Sequence, residues 1–155
     1  MTSTFDTLFP AELNGVVAKF EIVDPDGTPN RVLEITRQWS INLEWHLTGT
    51  GVTSLGGTWH VQVSLESMGT GFEGVVNPIV DIPYGDYDPA MSGPTHCHWK
   101  LPQPITITPA EMQARNIIPN VYKPVVLITY TNPVGQRQPM AGFWEGSLIT
   151  LYDPN

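Results

Sequence analysis

The chain has 155 residues, a formal net charge of -8, and charged side chains at only 14% of positions, against roughly 25% in an average soluble domain. Its seven basic residues, Lys19, Arg31, Arg37, Lys100, Arg115, Lys123 and Arg137, are dispersed, so no positive footprint exists to displace phosphate counterions and nucleic-acid binding is not expected. No run approaches the roughly 18–20 apolar residues of a membrane span, and the lone Cys97 excludes an intramolecular disulfide.

A chain of this length suits one domain with a sizeable core. Its 15 prolines and 14 glycines lie scattered between apolar runs, which argues for many short strands joined by turns and against long helices. Met1 to Pro10 has neither a basic n-region nor an apolar h-region, so no secretory signal is expected and a cytoplasmic location is the simplest expectation.

The segment 1–14 carries Phe5, Leu8 and Phe9 without clear period and is left unassigned, lying against the body or mobile; 15–155 reads as one β domain. Gly15 to Asp24 alternates Val16, Ala18, Phe20 and Ile22 with Lys19 and Glu21 on the other parity, and Asp24-Pro25-Asp26-Gly27 supplies the turn. Val32 to Leu65 reads as a long hairpin whose arms alternate with little interruption, Arg37 alone standing on the otherwise apolar parity of the first. Leu33, Ile35, Trp39, Ile41, Leu43, Trp45 and Leu47 share one parity of the first arm, and Trp59, Val61, Val63 and Leu65 one parity of the second. An unbroken first arm would reach about 55 Å at about 3.3 Å per residue, too long for this domain. A bulge or sheet change is therefore expected near Arg37 and Gln38.

Residues 72–82, interrupted by Gly74 and Pro78, suit an irregular or edge strand, and Pro83 to Pro94 a loop. Thr95 to Leu101 is a short strand, extended beyond a proline break by Ile105 to Thr108. Thr108-Pro109-Ala110-Glu111 is a capping box opening a helical turn over 109–115, closed by Asn116 and Pro119. Strands over Tyr122–Thr131 and Gly142–Tyr152 complete the chain, joined by a polar loop. The whole, about seven to nine strands, predicts an antiparallel β-sandwich with an immunoglobulin-like pattern, or alternatively a closed β-barrel.

Both parities of the last strands are apolar. Val125, Leu127 and Thr129 alternate with Val126, Ile128 and Tyr130, and Phe143, Ile149 and Leu151 with Trp144, Leu148 and Tyr152. One face of a sandwich strand normally meets water, so a subunit, a partner or the N-terminal segment is expected to cover the second. Val126, Ile128, Tyr130, Trp144 and Leu148 are taken as that contact face. Tyr84, Asp86 and Tyr87, on an aromatic, proline-rigid loop, are a second contact.

Four histidines offer a different chemistry. His96 and His98, at i and i+2, leave the same face of a strand, and His46 would face His60 if Leu47 pairs with Trp59. Imidazoles gathered so are ligands for a divalent metal such as zinc, which takes three or four at about 2.0–2.1 Å. Asp81, Asp86 and Asp88 crowd the 81–88 loop with Tyr84 and Tyr87; the carboxylates of Asp86 and Asp88 suit calcium, and the two tyrosines stacking on a sugar. Trp39, Trp45, Trp59 and Trp99 lie on apolar parities and are expected in the core; Trp144 is not placed. No nucleophile elbow, P-loop, dinucleotide fingerprint or zincin motif is present. Alternation also turns the Cys97 thiol away from both flanking histidines. The chain therefore reads as a non-enzymatic interaction or assembly module, a component of a larger complex or homo-oligomer without a cofactor. The alternative is a metal- or carbohydrate-binding sandwich using the histidine faces or the 81–88 loop.

Overall fold

A computed structural model describes residues 2–6, as backbone, and residues 13–155. Twelve strands occur among these: β1 (Thr2–Asp6), β2 (Leu13–Val23), β3 (Val32–Glu34), β4 (Trp39–Gly49), β5 (Thr58–Ser67), β6 (Gly74–Val75), β7 (Val80–Pro83), β8 (His96–Lys100), β9 (Ile105–Ile107), β10 (Asn120–Thr131), β11 (Arg137–Glu145) and β12 (Ile149–Tyr152), with one α-helix, α1 (Pro109–Ala114). They form two sheets that pack as a sandwich, mostly antiparallel and not closed into a barrel. The larger runs β1-β11-β10-β12-β3, with β5 on the other edge of β10 and β6 and β7 beyond it. The smaller runs β2-β4-β8, with β9 also on β4.

The expected break near Arg37 is a change of sheet. β3 runs parallel to β12 in the larger sheet, the chain turns at Ile35 and Thr36, with Arg37 N–H donating to the Glu34 carbonyl, and β4 enters the smaller sheet between β2 and β8. The hairpin of β4 with β5 does not form. Residues 50–57 carry the chain across the sandwich, so β5 pairs with β10, with Val61 opposite Ile128 and Trp59 opposite Tyr130. Alternation is satisfied equally well by this arrangement, because strands on opposite sheets turn their apolar parities toward the same core.

β10 is a central strand that contains a proline, and its ladder accommodates it. β12 pairs with Asn120–Tyr122 and β11 with Val125–Thr131 along one edge, while β5 runs along the other. The Pro124 carbonyl accepts from Gly146 N–H on the edge shared by β11 and β12. In antiparallel pairing its missing N–H faces that same edge, at the junction between the two partners, so the continuous ladder with β5 on the other edge is left intact.

The core between the sheets is aromatic. Trp45 stacks on Trp99 at 6.2 Å, Trp59 meets Trp99 edge-on at 5.1 Å, and Tyr84 meets Trp99 edge-on at 4.9 Å. Trp39 packs on α1, its indole N–H directed at Met112 Sδ at 3.4 Å. The helix begins as its capping box requires, with Glu111 N–H donating to Thr108 Oγ1 and Thr108 N–H to Glu111 Oε2, and ends before Asn116 at φ 55°. All four tryptophans expected in the core are there; Trp144 is half-buried against it. Leu8 and Phe9, considered as a cover for the second face, lie outside the described residues; the β1 backbone pairs with β11 at the sheet edge.

Candidate functional site

Pairing with β5 decides which side of β10 faces inward. Val126 and Ile128 are fully buried and Tyr130 nearly so, with Val63, Val61 and Trp59 opposite them in the ladder. They are therefore core residues and not the contact face assigned to them from sequence. Trp144, opposite Val126 in the register, packs inward too; Leu148 stays exposed. The other parity faces outward: Leu127 is 37% exposed, Phe143 lies opposite it on β11, and Ile79, 58% exposed, lines the same groove. Val125 is the most covered residue of this outward row. Sequence reasoning identified both apolar parities and turned the wrong one outward, because parity alone does not say which side meets the second sheet.

Polar groups frame this stripe. Lys123 bridges Glu66 at 3.2 Å and Glu145 at 3.3 Å, tying β5, β10 and β11 together. These two carboxylates hold its ammonium pKa above the usual lysine value. At the other end, β7 and β5 place Asp81 opposite His60. Asp81 Oδ1 lies 2.6 Å from His60 Nδ1, and His60 Nε2 lies 3.0 Å from Thr131 Oγ1. A groove of about 200 Å³ runs beside them, lined by Gln62, Ile79, Leu127, Thr129 and Arg137. This network was not legible as a unit, since Asp81, His60 and Thr131 come from three strands.

The loop contact also divides. Tyr84 is 1% exposed and belongs to the core: its hydroxyl donates to the Val52 carbonyl, and its own carbonyl accepts from Trp99 Nε1–H at 2.9 Å. Burial pushes its phenol pKa far up. Tyr87 is half-buried against the core and Asp86 is exposed. The aromatic character read as a recognition surface instead plugs the sandwich between Trp59, Trp99 and Tyr130.

The four histidines separate three to one. β8 pairs with β4 so that His98 lies opposite His46 and His96 opposite Thr48, whereas His60 is on the other sheet. The His46 ring centroid is 4.9 Å from that of His96 and 6.2 Å from that of His98; His96 and His98 are 6.5 Å apart. His98 Nε2 contacts Glu44 Oε1 at 2.8 Å, Lys19 approaches the same carboxylate at 3.7 Å, and His96 Nδ1 contacts Thr48 Oγ1 at 3.0 Å. The hydrogen bond from His98 lowers the Glu44 pKa. Burial, reinforced by the two neighbouring imidazoles, lowers that of His46, whose Nδ1 is buried without a hydrogen-bond partner. The edge of β8 is covered by the preceding loop: Asp88 N–H donates to the His98 carbonyl and His98 N–H to Ser92 Oγ. As the rings stand, no three His, Cys, Asp or Glu side chains among the described residues converge closely enough to hold a metal ion. Glu44 and Thr48 were not singled out from sequence. Their signal was the shared polar parity Glu44, His46, Thr48 on one strand.

No protein-family model matches the chain, and comparison with curated proteins gives no match. Among solved structures it is similar to a protein from Archaeoglobus fulgidus known from its crystal structure, at 13% identity and a TM-score of 0.39, covering 86% of this chain and 96% of that one. That likeness lends no residue role to this chain. Among the described residues no helix is long and apolar enough to cross a membrane.

Proposed function

We propose that the protein is a non-enzymatic assembly module that associates, with copies of itself or within a larger protein complex, through the outer face of its larger sheet. The observation that carries this reading is the outward apolar row of Leu127, Phe143 and Ile79 on a face whose neighbouring strand β5 presents His60, Gln62, Ser64 and Glu66. An outward sandwich face is ordinarily polar, and contiguous apolar surface ringed by charge favours a protein contact. The low charge density of the chain points the same way, since few charges need be desolvated when such a surface is covered.

Sedimentation velocity on untagged protein tests the self-assembling form of this reading. The expected result is a mass several times that of one chain for the wild type, and one chain's mass for Leu127→Lys, which places a charge in the stripe without touching the core. A wild-type chain that sediments as a monomer overturns self-assembly. An oligomer that Leu127→Lys leaves intact moves the contact elsewhere.

The Asp81–His60–Thr131 network has the carboxylate–imidazole–hydroxyl order of a nucleophilic relay, which makes the non-enzymatic half of the proposal testable. Asp81 is 64% exposed, so water competes for its carboxylate and the relay lacks the dry, preorganised surroundings that electrostatic catalysis uses. The expected result is that a fluorophosphonate probe leaves the intact mass unchanged. A mass increase that disappears in Thr131→Val would make this groove an active site.

A further inference from the structure

We propose that His46, His96 and His98 form a site for a divalent transition metal of the zinc class on the outer face of the smaller sheet, with Glu44 and Thr48 orienting the ligands from behind. The proposal is independent of the assembly reading, which concerns the opposite face of the sandwich.

Three observations carry it. The β4–β8 register brings one imidazole from β4 and two from β8 to the same face. Two imidazoles on one tetrahedral ion have their ring centres roughly 5 Å apart, given nitrogen–metal distances of about 2.0–2.1 Å. The His46–His96 separation of 4.9 Å already meets this; the separations of 6.2 and 6.5 Å to His98 exceed it, so the proposal requires the His98 ring, with its Glu44 partner, to shift toward the other two when the ion binds.

The second observation is the set of outer partners. Metal-binding histidines characteristically give one ring nitrogen to a carboxylate or other polar group, which fixes the tautomer and leaves the second nitrogen for the ion. His98 has this arrangement with Glu44, which as a carboxylate accepts the Nε2 proton and leaves Nδ1 bare in the neutral ring. His96 has its counterpart in the Thr48 hydroxyl at Nδ1, leaving Nε2. Third, His46 Nδ1 is buried and unpartnered. A buried nitrogen without a partner is costly, and a metal bond removes that cost. Three imidazoles leave the fourth position of a tetrahedral ion to water or an external donor, the coordination of an open site rather than a closed structural one.

The test is zinc titration of untagged, chelator-stripped protein by calorimetry, with cobalt(II) absorption as the spectroscopic report of a tetrahedral nitrogen-rich site. One zinc per chain is expected for the wild type, with loss of binding in His46→Gln and in His96→Gln. Glu44→Gln, which keeps all three ligands, is expected to weaken binding by about 10–100-fold. His60→Gln on the other sheet is expected to leave it unchanged. Circular dichroism of each variant separates lost ligation from lost folding, and His96→Gln, at a half-exposed position, is the variant to rely on if His46→Gln is unstable. Absence of a stoichiometric zinc, binding that survives His46→Gln and His96→Gln together, or binding abolished by His60→Gln each overturns the proposal.

Discussion

Replacing Trp99 with alanine is expected to lower the free energy of unfolding by about 3–5 kcal/mol, among the largest effects of a single truncation in the sandwich. Trp99 on β8 is fully buried and touches Trp45, Trp59 and Tyr84 at once. Its removal opens a cavity at the point where the two sheets and the 84–95 loop meet. It also removes the indole N–H that the Tyr84 carbonyl accepts, leaving a buried acceptor short of a donor. Against a total stability of about 5–15 kcal/mol for a domain, such a loss moves a urea midpoint far enough to be read directly. Trp144→Ala, at a half-buried position, is expected to cost clearly less. Equal costs at the two positions would mean that the aromatic cluster is not the mechanical centre of the fold.

The second large effect is expected at Gly57, where the chain enters β5. Its φ is +92°, and a Cβ there would lie 2.2 Å from the Thr131 carbonyl oxygen and 2.9 Å from the Tyr130 ring. The closest atom is backbone, so no side-chain rotation relieves the contact. The β5–β10 ladder, which ends with Thr58 opposite Thr131, must shift instead. Gly57→Ala is expected to cost on the order of 4 kcal/mol, roughly 1–3 from backbone strain and roughly 1–3 from overpacking. Gly27, at φ +80° with open space around its would-be Cβ, isolates the first contribution. Gly27→Ala is expected to cost roughly 1–2 kcal/mol. Chemical denaturation of both variants gives the comparison, and equal losses would remove the contact argument.

The functional surfaces were partly legible before the fold was known. The spacing of His96 and His98 put two imidazoles on one side of a strand, and the structure keeps them there, but their third partner had to be chosen between His46 and His60. Joining His46 to His60 followed from reading β4 and β5 as neighbours; the β4–β8 pairing joins it to His96 and His98 instead. Tyr84 illustrates a different failure. Its Pro-Tyr-Gly-Asp surroundings are turn chemistry, and turn chemistry describes the backbone; it is silent on a ring that the same backbone points into the core.

What the sequence determined by itself is local. Alternation identified the strands and the side chains that share a face of each. The length of the Arg31–Leu47 run required a bulge or a change of sheet near Arg37, and Thr108-Pro109-Ala110-Glu111 located the helix start. These follow from backbone geometry and hydrogen bonding over a few residues. Which strands become neighbours, and which of two apolar parities meets the second sheet, was decided by tertiary structure alone. Val61 and Ile128 are opposite each other because β5 and β10 are neighbours in the larger sheet and turn these parities to the same core, a contact between segments far apart in the chain. No period of two within either strand encodes its partner. The same cause buries Val126, Ile128 and Tyr130, turns Leu127 to the surface, and sends His60 to the opposite face of the molecule from His46.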